Sequence, residues 1–177
     1  PIDNVRSITN HSSGGLGKAI AESFLAAGHT VTYVTTKHEL RPTQQLALSM
    51  KEIETTVALA TTLEQLFAEK QFEAIVHAMA VSDFTTETAQ TEEQFIASFA
   101  QQLSEQTLPK TKEALATIVQ NTLNQIADIP QTATKISSDT DRLLIFLKKN
   151  PKVIQMIRDK QPQTVLVGFK LLVNVSQ

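Results

Sequence analysis

The chain has 177 residues, 41% hydrophobic and 19% charged, with 16 Lys and Arg against 18 Asp and Glu for a formal net charge of −2. That balance belongs to a folded globular domain, and it lacks the global positive field with which proteins hold duplex DNA, so no nucleic-acid partner is expected. Apolar runs fall far short of the roughly 20 residues that cross a bilayer. The absence of cysteine excludes disulfides, thiolate zinc sites and a cysteine nucleophile. With no secretory h-region at the start, the expected setting is cytoplasmic, without a membrane partner.

The first informative stretch runs from Asn10 to Thr35. A glycine-rich turn leads into a helix with Leu16, Ile20, Phe24 and Ala27 on its apolar face, Gly28 leaves that helix in a left-handed conformation, and Val31 to Val34 form a short buried strand. The same order repeats. Glu54 to Leu59 reads as a strand, Thr61 and Glu64 stand at capping-box spacing, Leu63, Leu66 and Phe67 make a helical face, and Ala74 to Met79 is another buried strand. From residue 85 to 133 the sequence turns rich in Thr, Gln and Glu, with helical patterns over Phe95 to Leu103 and Leu115 to Ile126, and this stretch is expected as a helical insertion. Leu115, Ile118, Val119, Leu123 and Ile126 share one stripe that needs a partner surface, within the chain or across a dimer. Leu143 to Leu147 is then a strand, and Asn150 with Pro151 reads as an N-cap and first helical residue. Val153, Ile154 and Ile157 form a buried face, and Thr164 to Phe169 is the last strand. Strands alternating with helices predict one domain over 1–177, an α/β three-layer Rossmann-like fold with a mainly parallel central sheet and the insertion at 85–133.

In such folds ligands sit beyond the carboxyl ends of the strands, so the loops there are searched first. His11, Ser12, Ser13, Gly14, Gly15 and Gly17 open a helix, where backbone amides and the helix dipole favour an anion. The pattern matches neither G-x-G-x-x-G nor G-x-x-x-x-G-K-[ST], and a tight turn for close helix–sheet packing explains it equally well. Ala78 to Phe84 ends a strand with small residues and presents Asp83, either as a ligand acceptor or as the former of an Asx-turn. Lys135 to Arg142 and Leu147 to Pro151 carry Lys135, Lys148 and Lys149, which can meet phosphate as point charges or stay solvated. Phe169 is either an aromatic wall or a core residue. Tyr33 and Lys37 have dehydrogenase-like Y-x-x-x-K spacing but fall on a strand, where that pair does not share a face. The four histidines, His11, His29, His38 and His77, show no metal-ligand spacing, and no protein metal site is expected.

Taken in order, PIDNVRSITNHSSGGLG (1–17), HAMAVSDF (77–84), KISSDTD (135–141), KKNP (148–151) and VGF (167–169) resemble the successive motifs of the phosphopantothenoylcysteine synthetases, or phosphopantothenate cysteine ligases. GFKLLVNVS resembles the stand-alone bacterial branch. The resemblance implies an enzyme of coenzyme A synthesis: the 4'-phosphopantothenate carboxylate attacks the α-phosphate of CTP, with Mg2+ on the triphosphate, and the amine of L-cysteine then attacks the acyl-cytidylate. ATP in place of CTP stays open. By the same resemblance Asn10 acts on the acyl intermediate and Lys135 assists its formation. Ser13, Gly14, Gly15, Ala78, Met79, Asp83, Lys148, Lys149, Asn150, Pro151 and Phe169 hold the nucleotide, while Arg6, Asn10 and His11 contact the acyl substrate. A homodimer is also implied. Two departures stand out. Ser137 and Ser138 occupy places where the family's K-x-K-K motif has lysines. The family also carries a strand and a Gly-Gly-Thr turn ahead of P-I-D, and a helix, a lysine-bearing loop and further strands after V-G-F, which implies that these 177 residues are a portion of a longer enzyme. The competing reading from another class is a non-catalytic nucleotide-binding sensor; a nicotinamide-dependent reductase lacks both its fingerprint and an acidic residue ending the second strand.

Overall fold

The structure, a computed structural model, describes Ile2, residues 12–129, Ile136 and residues 139–169. In chain order its elements are α1 (Gly15–Ala26), β1 (Val31–Thr35), β2 (Leu48–Glu52), α2 (Thr56–Glu69), β3 (Ala74–His77), β4 (Phe84–Thr91), α3 (Glu92–Ser104), α4 (Lys112–Ala127), β5 (Leu143–Lys149), α5 (Val153–Lys160) and β6 (Val165–Gly168). They fall into two compact units, one holding residues 12–83 and 151–169, the other Phe84–Asn150.

The first unit is built on parallel pairing. β1 runs parallel to β2 with Val31 opposite Leu48, and β3 runs parallel to β6 with Ala74 opposite Val165. Parallel neighbours cannot be joined by a hairpin: residues 36–47, without a helix, return the chain from β1 to β2, and the long return from β3 to β6 ends in α5. α2 and α5 bring Leu59, Leu63, Val153 and Ile157 together with Ile53, and Val34, Phe67, Ile75 and Leu166 close around them. Burying each of these aliphatic side chains contributes about 1.5–3 kcal/mol. Among the described residues the parallel strands form two separate two-stranded ladders, with no bond between β1 and β3.

The second unit is antiparallel. β4 pairs with β5 from Phe84 opposite Lys149 to Thr91 opposite Leu143, with an irregularity between Thr86 and Thr88. Thr91 then caps α3 in a reciprocal box with Gln94, which satisfies two orphan donors at once. Phe95 stacks on Phe99 and reaches Phe146 of β5. α4 packs against α3, and Thr122 and Ile126 are fully buried, so part of the apolar stripe read from the sequence is covered within this unit.

Several boundaries differ from the expectations. Glu54 to Leu59 is not a strand: the Thr55 hydroxyl accepts from the Ala58 amide and starts α2 six residues before the expected cap at Thr61. The true strand, β2, has only Leu48 buried and four exposed residues after it, which removes the apolar signal. Asn150 and Pro151 do not start α5, whose N-cap is Lys152. Asn150 is instead buried, and Ile154 is exposed rather than part of the buried face. On α1 the buried residues are Ala21 and Leu25, while Leu16 and Phe24 are exposed, a rotation of one residue from the expected face. Gly28 does take the left-handed conformation, with φ 87°.

One buried amide ties the first unit together. Gln161, with no exposed surface, accepts the Phe72 N–H at 3.0 Å and donates to the Lys70 carbonyl at 3.2 Å, joining the end of α5 to the link between α2 and β3. Gln161→Leu leaves both backbone groups without a partner and is expected to cost about 2–4 kcal/mol in urea unfolding. Gln155→Leu, on the exposed side of the same helix, stays within about 0.5 kcal/mol of the parent.

Candidate functional site

The glycine turn is built by local hydroxyls. The Gly14 amide donates to Ser12 Oγ and the Gly15 amide to Ser13 Oγ. Two of the amides expected to meet an anion are therefore already occupied. Those of Leu16 and Gly17, in the first turn of α1, have no protein partner among the described residues and keep the positive end of the helix dipole open. Gly14 caps α1 at φ 73°, ψ 2°. A Cβ there would lie 2.8 Å from the Cβ of Glu39 and 3.1 Å from the Leu40 amide nitrogen. That loop is held by the Leu40 N–H donating to the Ser13 carbonyl, by Thr35 Oγ1 donating to Glu39, and by the Tyr33 hydroxyl donating to the Leu40 carbonyl. Burial, and secondarily the Glu39 carboxylate, raise the Tyr33 phenol above its usual range.

Across from this turn β3 ends at His77, and Ala78 and Met79 follow. Ser12, Gly14, Glu39, Ala78 and Met79 line one cavity of about 520 Å³. The Met79 carbonyl accepts from the Val81 N–H, and the Met79 side chain packs on the core, so this segment offers backbone rather than side chain. β6 is paired with His77 opposite Gly168, which puts Phe169, half exposed, one residue past the same strand ends. Asp83 closes the loop after β3. It receives the Nζ of Lys152 from the start of α5 at 2.5 Å; both side chains are largely exposed, so the pair orients the carboxylate more than it stabilises the fold. His77 is half-buried, and burial pushes its imidazole below the usual range, so it stands neutral at pH 7.

The residues expected at the site fall in both units. Ser13, Gly14, Gly15, Ala78, Met79, Asp83, Pro151 and Phe169 belong to the parallel unit. Lys148, Lys149 and Asn150 belong to the other unit, where Lys148 pairs with Glu87 at 3.6 Å. Arg6, Asn10, His11 and Lys135 lie outside the described residues. Sequence reasoning passed over Glu39 and Lys152. Glu39 carries no motif, whereas Lys152 was detectable as a third lysine right after the Asn-Pro step. Among the described residues no three His, Asp or Glu side chains converge to hold a metal ion, and none of the helices is long and apolar enough to cross a membrane.

Parallel ladders, crossover helices and a glycine-opened helix at their carboxyl edge define an α/β protein of the Rossmann-like kind. The DNA/pantothenate metabolism flavoprotein C-terminal domain family matches the chain over residues 1–127, and the chain belongs to that family. The crystal structure of the DNA/pantothenate metabolism flavoprotein from Streptococcus pneumoniae is 37% identical and superposes with a TM-score of 0.73, covering 99% of this chain and 66% of that one. The coenzyme A biosynthesis bifunctional protein CoaBC of Thermococcus kodakarensis is 29% identical over 176 residues, and that of Methanocaldococcus jannaschii 27% over 176. Each match takes in 99% of this chain but only 32% of the relative, so the chain spans about a third of their length.

Gly14→Ala forces a side chain into a left-handed backbone and against Glu39, and is expected to destabilise by about 2 kcal/mol or more in urea unfolding; Gly15→Ala, at a helical position, costs less. For His77 the folded-state value lies below the unfolded one, so the unfolded chain binds the extra proton. The associated stability is complete above about pH 6.5 and is lost as the pH falls through the folded value. His77→Asn should flatten the acid side of the stability profile below pH 6.5 relative to the parent, measured by denaturant midpoint against pH.

Proposed function

We propose that the protein is the ligase part of a coenzyme A biosynthetic enzyme, joining 4'-phosphopantothenate to L-cysteine through an acyl-nucleotidylate. The observation that carries this reading is the shared cavity. Gly14, on a helix start with two open amides, and Ala78 and Met79, ending a parallel strand, line one space in a chain of the pantothenate-metabolism family. Small residues on one wall and amide donors on the other suit a nucleotide whose base lies on backbone and whose phosphates meet the helix dipole.

In this reading the carboxylate of the acid forms a bond to the α-phosphorus of CTP and pyrophosphate leaves. The amine of cysteine then forms the amide, and CMP leaves with the electron pair of the broken C–O bond. CTP is the preferred nucleotide, with ATP as the alternative. The turn amides and Asn10 supply donors for the oxyanion of the second step. Lys135 assists the first step, Asp83 and Phe169 hold the nucleoside, Lys148 to Pro151 hold the phosphates, and Arg6 and His11 contact the acid. Lys152 orients Asp83. In this reading Mg2+ rides on the triphosphate, and no step is assigned to a resident metal. Cytoplasmic location and a homodimer complete the proposal.

Pyrophosphate release tests it. With the full-length protein, release is expected only when nucleotide and 4'-phosphopantothenate are both present, and amide product only after cysteine is added; a nucleotide sensor releases none under any combination. Running CTP and ATP in parallel decides the base. Asn10→Asp should leave pyrophosphate release largely intact while blocking product, whereas Lys135→Gln should suppress release itself. Parent-like behaviour in both variants refutes those two roles.

A further inference from the structure

β1 ends at Thr35, and Thr36, Lys37 and His38 follow, so the sequence puts no acidic residue directly at this strand end, where α/β folds hold the sugar of a nucleotide. The fold brings one back. Thr35, only 2% exposed, donates through Oγ1 to Glu39 Oε2 at 3.0 Å, which returns the carboxylate to the end of the strand. The loop that carries it is tied down twice more: the Leu40 N–H donates to the Ser13 carbonyl at 2.9 Å, and the Tyr33 hydroxyl donates to the Leu40 carbonyl at 3.3 Å. The Glu39 stem abuts Gly14, whose lack of a side chain leaves it room. Glu39 therefore shares the cavity lining with Ser12, Gly14, Ala78 and Met79, fixed in place before any ligand arrives.

This carboxylate has acceptor capacity to spare. Among the described residues Oε1 has no hydrogen-bond partner and Oε2 has only the Thr35 hydroxyl, whereas a carboxylate offers about four lone-pair sites. No cation among the described residues pairs with it. Arg41, on the same loop, is turned to Glu52 at 2.6 Å and to the carbonyls of Thr36 and Lys37. The chemistry of the surroundings narrows what Glu39 can meet. A phosphate is repelled by the carboxylate, and an ammonium is opposed by the positive end of α1 with its two open amides. A pair of hydroxyls is neutral, donates to both carboxylate oxygens, and leaves the helix start to an anion carried by the same molecule. A sugar diol joined to a phosphate chain meets both conditions.

We infer that Glu39 accepts the ribose hydroxyls of the bound nucleoside triphosphate and selects ribonucleotides over their deoxy forms. The assignment rests on the nucleotide reading of this rim. Glu39 follows Gly17 by about 20 residues, near the separation at which dinucleotide-binding folds place the acid that holds a ribose. The turn here is G-G-x-G rather than G-x-G-x-x-G, and one ribose is assigned, not a dinucleotide.

Equilibrium calorimetry on the full-length natural protein tests this without turnover, comparing CTP with dideoxy-CTP, which lacks both sugar hydroxyls, and ATP with dideoxy-ATP. For whichever base the protein prefers, the parent is expected to bind the ribo form at least about tenfold more tightly, the scale of hydrogen bonds to a charged group. Both variants should shrink that ratio, Glu39→Ala at least about fivefold and Glu39→Gln, which keeps the shape and one acceptor oxygen and guards against misfolding, at least about twofold. The ratio is the readout because repulsion between Glu39 and the phosphates acts on both forms alike. A parent ratio under about tenfold, or a smaller change in either folded variant, overturns the assignment. So does a ratio lost in Asp83→Asn but kept in Glu39→Ala, which gives the diol to Asp83, and so does a KM for L-cysteine raised by Glu39→Ala with the ratio unchanged, which gives Glu39 to the amine. Failure of every nucleotide to bind the parent refutes the nucleotide reading itself, whereas binding of CTP or ATP without discrimination refutes the diol contact alone.

Discussion

Parallel pairing in the first unit governs where everything else lies. Because β1 cannot turn directly into β2, nor β3 into β6, each ladder depends on chain that leaves the sheet and comes back, and α2, after β2, and α5, before β6, pack their apolar faces together over both ladders. The core of Leu59, Leu63, Val153 and Ile157 is as much a product of strand direction as of hydrophobicity. Gln161 belongs to the same constraint: a short helix followed by a parallel strand leaves backbone groups at the α2–β3 link that neither ladder reaches, and a buried side-chain amide meets them. Strand direction also explains why the small residues after β3 and the aromatic after β6 share an edge.

Legibility in the sequence followed the strength of each local signal. α1, Gly28 and β1 were readable because glycine punctuation, helical periodicity and a β-branched run agree. β2 was not, since Leu48 alone carries its burial and Ser49 to Glu52 look like a loop. The start of α2 was misplaced for a related reason: Thr55 and Thr61 are both capping residues, and the apolar run between them fits a short strand as well as a first helical turn. β4 escaped notice because its pattern is carried by threonines. Thr88 and Ala89 are buried and Thr85 and Thr86 partly so, which suits a pleated surface without an apolar alternation to mark it. At α5 the Asn-Pro pair is a correct helix-start signal displaced by two residues, because Asn150 is buried as the last residue of the other unit.

One linear motif of the candidate site crosses the boundary between the units. Leu147 to Pro151 reads as one phosphate-binding stretch, yet the compact units divide between Asn150 and Pro151, and Lys148 has Glu87 as a neighbour on its own antiparallel ladder. Within the parallel unit Lys152 is held by Asp83 at the end of the loop after β3. A lysine at a helix N-cap is opposed by the helix dipole, and the carboxylate beside it offsets that opposition. The arrangement keeps a negative and a positive group within one hydrogen bond of each other at the sheet edge, able to meet a hydroxyl or an anion without a change in net charge.

Site and core are also mechanically connected. Gly14 and Glu39 stand at the α1–β1 side of the cavity and Ala78 and Met79 at the β3 side, and among the described residues no strand bond joins the two sides. Among these residues the two sides are held together by α2 and α5, whose Leu59, Leu63 and Ile157 belong to the core against which Val34 of β1 and Ile75 of β3 pack. The precision with which amide donors and backbone acceptors meet a ligand across the rim therefore depends on this packing before it depends on any single charged residue.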